Sequence, residues 1–281
     1  EKKTIARQLE QAQQRFEVGL IAITDVYEAQ AGYDQSRSDV IAAENNVQNT
    51  KEALKEIIGP YSGELSKLGE ILPLPEPVPN NIDEWNTTAL NQNLQILVAR
   101  NESEIIQENI DIQRSGHYPT LDVVGSFGLN DISGNLNARG NTESIGVQLN
   151  IPLFEGGAVN SRTREAEYQF TEAKENLIAT QRAVTKEVKD SYRGVISAIS
   201  QGGALKSAVK SGKSSLNATE AGFDVGTRTM VDVLSTTRNY TNAQSKYSKS
   251  RYAYILNGVR LKNASSILSV TDLEAINRYL K

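Results

Sequence analysis

The sequence predicts a mainly α-helical chain of long antiparallel helices interrupted by one β-hairpin, and three observations predict it. The first is an internal duplication: Phe16-Glu17-Val18-Gly19, followed by Asp25-Val26 and Tyr33, returns with identical spacing as Phe223-Asp224-Val225-Gly226, Asp232-Val233 and Tyr240. The second is a seven-residue pattern behind each glycine. Val26, Tyr33, Val40, Val47 and Leu54 in one copy match Val233, Tyr240, Tyr247, Tyr254 and Leu261 in the other, a coiled-coil seam in one register. Three residues beyond these positions the side chains are mostly small (Ala29, Ser36, Ala43 and Thr50; Thr236, Ala243 and Ser250), which lets helices approach closely. The third is a change of hydrophobic period, from helical to two, between Thr120 and Leu153.

Taken in order, residues 1–58 read as the end of one helix, broken at Gly19, and a second helix from Ile23 to Ile58. At ~1.5 Å per residue the second is about 54 Å long, and Gly59-Pro60 stops it. Residues 59–80 form a connector whose run from Leu72 to Pro79, with proline at every second position, is extended and polyproline-like. Asn81 and Glu84 have helix-cap spacing, so a helix is expected over 81–116, continuous to Ser115 and stopped by Gly116. In residues 117–157 Leu121, Val123, Phe127 and Leu129 share one strand face, and Asp122, Ser126, Gly128 and Asn130 lie mostly on the other. A turn-rich stretch from Asn130 to Asn141 leads to a return strand with Ile145, Val147, Leu149, Ile151 and Leu153 on one face and Gly146, Gln148 and Asn150 opposite. Such a hairpin suits a barrel crossing a bilayer or a sheet half-buried on a core, and the lack of further strands favours the barrel. Residues 158–266 predict a very long helix from Ser161 to Ala221 with Phe170, Leu177 and Val184 in heptad spacing, a second turn at Gly226, and a helix from Met230 to about Ile267. In residues 267–281, Thr271-Asp272-Leu273-Glu274 has the spacing of a capping box opening a short helix.

Composition removes several function classes. A net charge of -4 leaves no basic footprint for nucleic acid. The absence of cysteine excludes disulfides and thiolate-bound zinc, and the sequence offers no Ser/His/Asp set that its single histidine, His117, would convincingly serve. No HExxH or phosphate loop is present, so neither an enzyme nor a cofactor is expected. No run of about 18 apolar residues predicts a membrane-spanning helix. The chain opens on Glu1 without Met, and the duplication places a second hairpin upstream of it, so it reads as an N-terminally truncated fragment. A lone hairpin in lipid has two unpaired edges. Three single hairpins would supply about six strands, below the eight of the smallest barrels, whereas two hairpins in each of three protomers would supply about twelve.

The chain resembles the TolC family of trimeric outer-membrane channels that serve drug efflux and type I secretion. The resemblance rests on Gln14-Arg15-Phe16-Glu17-Val18-Gly19-Leu20 with Ile23-Thr24-Asp25-Val26, on Gly116-His117-Tyr118-Pro119-Thr120-Leu121 entering the strand, and on Pro152-Leu153-Phe154-Glu155-Gly156-Gly157 leaving it. Its most specific run is Ala221 to Thr229 with Val231-Asp232-Val233-Leu234. It implies helices forming part of a trimeric α-barrel in the periplasm and a hairpin contributing to a transmembrane β-barrel in the outer membrane. The connector and terminal helix would belong to an equatorial region. The implied partners are two further copies, a periplasmic adaptor, an inner-membrane transporter and outer-membrane lipid. Adaptor contact would fall at Val18, Gly19 and Leu20 and at Val225, Gly226 and Thr227. The implied periplasmic gate maps to Asp25, Gln14, Thr24 and Arg228, with Phe223 where the family has a tyrosine, Ser235 where it has a second carboxylate, and a possible cation ring at Asp232. Asp25 and Asp232 equally suit a helix start, and Thr229 with Asp232 has capping-box spacing, whereas Ala22 stands at the matching place before Asp25. Gly19 and Gly226 suit left-handed turns, Trp85 a packing anchor, and His117 a corner without chemistry. The alternative to a channel is a periplasmic coiled-coil adaptor or scaffold, which has no use for a hairpin of lipid length.

Overall fold

The computed structural model describes residues 2–61, 63–69, 71–132 and 138–280. Its elements follow the periodicities: α1 (Lys2–Glu17), α2 (Ile23–Ile58), α3 (Ile82–Gln92), α4 (Leu94–Arg114), β1 (Thr120–Ile132), β2 (Ala138–Asn150), α5 (Ala158–Asp224), α6 (Met230–Ala264) and α7 (Val270–Asn277). The chain divides into one unit of residues 1–85 and 188–281 and another of residues 86–187.

In the first unit the seams bury their small positions first. Ala29, Gly32 and Ser36 of α2 are buried, Ala29 packing with Met230, Val233 and Leu234 of α6, and Ile5 and Ala12 of α1 complete that core with Phe223 of α5. A Cβ on Gly32 would stand 3.1 Å from Leu234 Cδ2, so the missing side chain sets how closely α2 and α6 pack. Further along α2, Ala43, Val47 and Thr50 are exposed. In this unit α5 buries Val188, Val195, Gly202, Leu216 and Phe223, all in one heptad register, which ends at Phe223 beside the second turn.

The connector is strapped onto α6 and α7 by polar contacts of its backbone. Leu68 N–H donates to Tyr252 Oη, Arg251 donates to Gly69 O, Gly69 N–H donates to Tyr279 O at 2.8 Å, and Tyr254 Oη donates to Pro75 O at 2.9 Å. Tyr254, read as a seam residue, therefore serves the connector, and burial there pushes its phenol upward in pKa. Trp85 is buried and its indole donates to Pro79 O at 2.7 Å, the packing anchor expected of it. The start of α7 differs from expectation. Ser269, not Thr271, caps the helix, in a capping box with Asp272 rather than Glu274, because Asp272 also reaches Lys262 of α6 at 2.5 Å. This second contact selects the register.

The single helix expected over 81–116 is two. The chain breaks at Asn93, whose buried Oδ1 accepts from Gln95 N and Ile96 N and so restarts the helix as α4. Asn93 satisfies freed amides that would otherwise be buried without partners. A 3₁₀ turn at Ser115–His117 follows, with Gly116 against Val159. His117 Nε2 and Asn160 Oδ1 lie 3.2 Å apart.

β1 and β2 pair antiparallel from Thr120↔Asn150 to Ile132↔Ala138. The strands run further toward the turn than their side chains suggest, since backbone pairing carries polar residues as readily as apolar ones. Residues 133–137 of the expected turn lie outside the described residues. At the other end the return strand stops at Asn150, short of Leu153. The last rung is flanked by Pro119 and Pro152, and proline has no N–H to extend a ladder. The register sets Leu121 opposite Leu149, Val123 opposite Val147 and Gly125 opposite Ile145, so the apolar faces of both strands coincide. Ser126 and Ser144 hydrogen-bond across the other face at 2.8 Å. Among the described residues this is a two-stranded sheet with both outer edges unpaired, and its apolar face is exposed throughout.

Candidate functional site: the duplicated helix turns

Each helix turn closes through the same backbone bonds. After α1, Gly19 N–H donates to Phe16 O at 2.8 Å and Leu20 N–H to Arg15 O at 2.8 Å; after α5, Gly226 N–H donates to Phe223 O at 3.1 Å and Thr227 N–H to Gly222 O at 2.8 Å. This is the Schellman pattern, in which a left-handed residue lets two amides satisfy the last helical carbonyls. Gly19 and Gly226 both have φ of +76°, with nothing within 4 Å of the place a Cβ would take. Glycine is thus required by backbone angle, while the space beside it stays open. At these turns Val18 is 69%, Leu20 73% and Val225 74% exposed, with Thr227 exposed beside them. Two open glycines therefore sit beside three solvated apolar side chains.

The two helix starts beyond the turns are not equivalent. Thr229 caps α6: its hydroxyl accepts from Asp232 N, and Asp232 Oδ2 accepts from Thr229 N at 3.0 Å and Oγ1 at 3.1 Å. The Thr229 backbone and hydroxyl bonds, with the Arg228 charge adding to them, hold the Asp232 carboxyl below its usual range. At α2 the N-cap is Ala22, which supplies no side-chain bond, and Asp25 has no side-chain partner among the described residues. Asp232 is thus engaged in its own cap, and Asp25 is free. Thr24, Arg228 and Ser235 are exposed, again with no side-chain hydrogen bond among the described residues. No cluster of potential metal-ligating side chains is found among the described residues.

Phe223 is buried in the core of the turn region. Gln14 is exposed and makes no side-chain bond among the described residues; the glutamine that reaches across helices is Gln8, donating to Thr237 Oγ1 at 3.1 Å and Glu220 Oε1 at 3.4 Å. Sequence reasoning also missed Arg15, whose guanidinium lies over the Phe223 ring and pairs with Asp224 at 2.6 Å. A signal existed: Gln8 and Arg15 are seven residues apart, hence on one face of α1.

The chain thus combines long seamed helices, joined by twin Schellman turns, with a hairpin whose apolar face is solvated. The chain belongs to the outer membrane efflux protein family, matched over residues 1–60 and 85–265. It is 41% identical over 286 residues to outer membrane protein TolC of Vibrio cholerae, covering 100% of this chain and 65% of that one. It is 38% identical to the TolC of Escherichia coli, covering 100% and 59%, and 25% identical to the alkaline protease secretion protein AprF of Pseudomonas aeruginosa, covering 98% and 58%. Its fold matches the Campylobacter jejuni CmeC outer membrane channel with a TM-score of 0.76 at 18% identity, covering 100% of this chain and 61% of that chain. The chain spans about three-fifths of the length of the curated relatives it matches. Family membership places the chain among outer-membrane proteins and not among periplasmic adaptors or scaffolds.

Proposed function

We propose that the whole protein is a trimeric outer-membrane channel-tunnel exporting small molecules or proteins, with a periplasmic adaptor and an inner-membrane transporter as partners and no catalytic activity of its own. The hairpin carries this reading. Its exposed apolar face and two unpaired edges suit a strand pair that closes with others in lipid, where each unsatisfied backbone group costs several kcal/mol. The family is named for outer-membrane efflux and the relative AprF for alkaline protease secretion, which supports both export routes.

In this reading the turns are the periplasmic entrance. Val18, Gly19 and Leu20 and Val225, Gly226 and Thr227 offer an adaptor bare backbone and apolar side chains. Asp25, Thr24, Gln14 and Arg228 are available to a neighbouring copy, and Phe223 forgoes the hydroxyl that a tyrosine would offer. Asp232 forms the only carboxylate ring on α6 near the entrance, one of its oxygens already taken by Thr229, and Ser235 adds no charge one turn along. A second ring about 5 Å away would lie within a Debye length of ~8 to 10 Å and reinforce the first.

The full-length protein in a planar bilayer tests both levels. It is expected to conduct, and to be blocked weakly by di- or trivalent cations added on the periplasmic side. Ser235→Asp strengthens the block and Asp232→Ala removes it. Absence of conductance refutes the channel; identical block in all three proteins removes Asp232 and Ser235 from the entrance.

A further inference from the structure

We propose that the cavity between the connector and helices α6 and α7 is a binding site for a small aromatic organic cation, of which a benzyl quaternary ammonium is the simplest form. The cavity has a volume of about 380 Å³, within the roughly 300–1,000 Å³ of small-molecule sites, and every residue lining it belongs to the first unit. Its roof follows from the chemistry of the connector. Proline has no N–H to donate, so the run from Leu72 to Pro79 is held through its carbonyls, at Pro75 by Tyr254 and at Pro79 by Trp85, with the cavity beneath it.

Two features fix the class of guest. The first is the aromatic lining: Trp85, Tyr254 and Tyr279 all border the cavity. The Trp85 indole N–H and the Tyr254 hydroxyl proton are already spent on the connector carbonyls, so these two side chains offer a guest ring surface and no free donor. Ring surface holds apolar and aromatic groups, and it attracts a cation through its quadrupole. The second feature is charge. Lys262 and Asp272 also line the cavity, and they neutralise each other at 2.5 Å. Glu76 remains. It is exposed at the solvent side, its Oε2 accepts from Asn80 Nδ2 at 2.6 Å, and Asn80 Oδ1 in turn accepts from Tyr192 Oη at 2.5 Å. Glu76 makes no ion pair among the described residues, so the described lining carries one uncompensated negative charge, held in place by a chain of two hydrogen bonds. Aromatic walls beside a lone carboxylate favour a cation over a neutral molecule or an anion of the same shape. The site stands whether or not the protein conducts.

Ala275 of α7 lines the cavity and is exposed, so a cysteine placed there reports occupancy. The test follows the rate at which N-ethylmaleimide modifies Ala275→Cys in the full-length protein, any other cysteine being replaced by serine, with benzyltrimethylammonium, benzyl alcohol or benzenesulfonate present. Benzyltrimethylammonium is expected to halve the rate at a concentration on the order of 1 mM, benzyl alcohol to need about ten times more, and benzenesulfonate to protect least. Glu76→Gln and Tyr254→Leu in this background should each weaken protection by the cation about threefold, and Glu76→Gln should leave protection by benzyl alcohol unchanged. Salt at roughly 1 M, where the screening length is about 3 Å, brings the parent to the level of Glu76→Gln and does not move that variant, a response that a merely apolar gap lacks. Equal protection by all three probes overturns the site, and so does a rate that the cation leaves unchanged. A cysteine that does not react at all in the full-length protein means that another part of the chain fills the cavity, which also overturns it. If Tyr254→Leu frees the connector, seen as faster modification without any probe, Glu76→Gln decides, and unchanged protection there refutes the assignment. Conductance plays no part in the readout, so a protein that conducts without protection loses the site and keeps the channel.

Discussion

At Gly226 backbone geometry and function make separable demands. A residue with a Cβ in the left-handed region costs about 1–2 kcal/mol, yet the space around this one is empty, so the turn can absorb a side chain without a clash. If this turn is the adaptor contact of a trimeric exporter, Gly226→Leu should therefore leave the full-length trimer assembled, as judged by size in detergent, while export from cells is abolished because the adaptor loses access to the backbone. Loss of assembly with the same change would reduce the glycine to a fold residue. The two aspartates behind the turns show how far duplication can be trusted. They look alike in sequence, but Thr229 is present before one and Ala22 before the other, so Asp232 is absorbed by a cap and Asp25 is not. A difference at the N-cap decides which carboxylate is free.

Helix α7 depends on one carboxylate for two attachments, the cap at Ser269 and the ion pair with Lys262. The Lys262 bond, followed by those from Ser269, lowers the Asp272 pKa from 3.8 to about 2. A depressed pKa stabilises the folded state fully above the unfolded value and loses that contribution as pH falls through the folded one. Docking of α7 should thus be intact above about pH 4 and weaken between about pH 4 and pH 2. Trp85, the one tryptophan of the chain, lines the same cavity as Asp272 and Ile276, so its fluorescence reports the docking. Asp272→Ala should remove about 1 kcal/mol of this attachment at neutral pH and flatten the titration in that window. An unaltered acid transition in the variant would assign it to other carboxylates. At the same scale, the break at Asn93 was not legible, because asparagine within a helical pattern signals a restart only if its side chain finds free amides.

For the whole molecule, the decisive surface is the apolar face of the hairpin. If Val147 faces lipid, Val147→Lys costs about 2–4 kcal/mol near the middle of the bilayer and should deplete the trimer from the outer membrane, while Gln148→Lys on the opposite face is tolerated. Equal recovery of both variants in outer-membrane fractions would show that this face does not meet lipid. The turns, the seams next to them and the faces of the hairpin were legible in the amino-acid sequence alone, whereas Val47 of the α2 seam is exposed and Tyr254 of the α6 seam serves the connector. Each follows from neighbours in the chain: a glycine that must take positive φ, a period of seven, a period of two. The two prolines that end the strand ladder are equally local, although their effect on the return strand appears only when its partner is in place. What the tertiary structure alone decided is which polar side chains meet. Arg15 reaches Phe223 and Asp224 across more than two hundred residues, and Gln8 reaches Thr237 in the same way. Periodicity says that a helix has an inner face; the rotation and stagger of packed helices determine what that face touches, and these are set by side-chain volumes such as the missing one at Gly32.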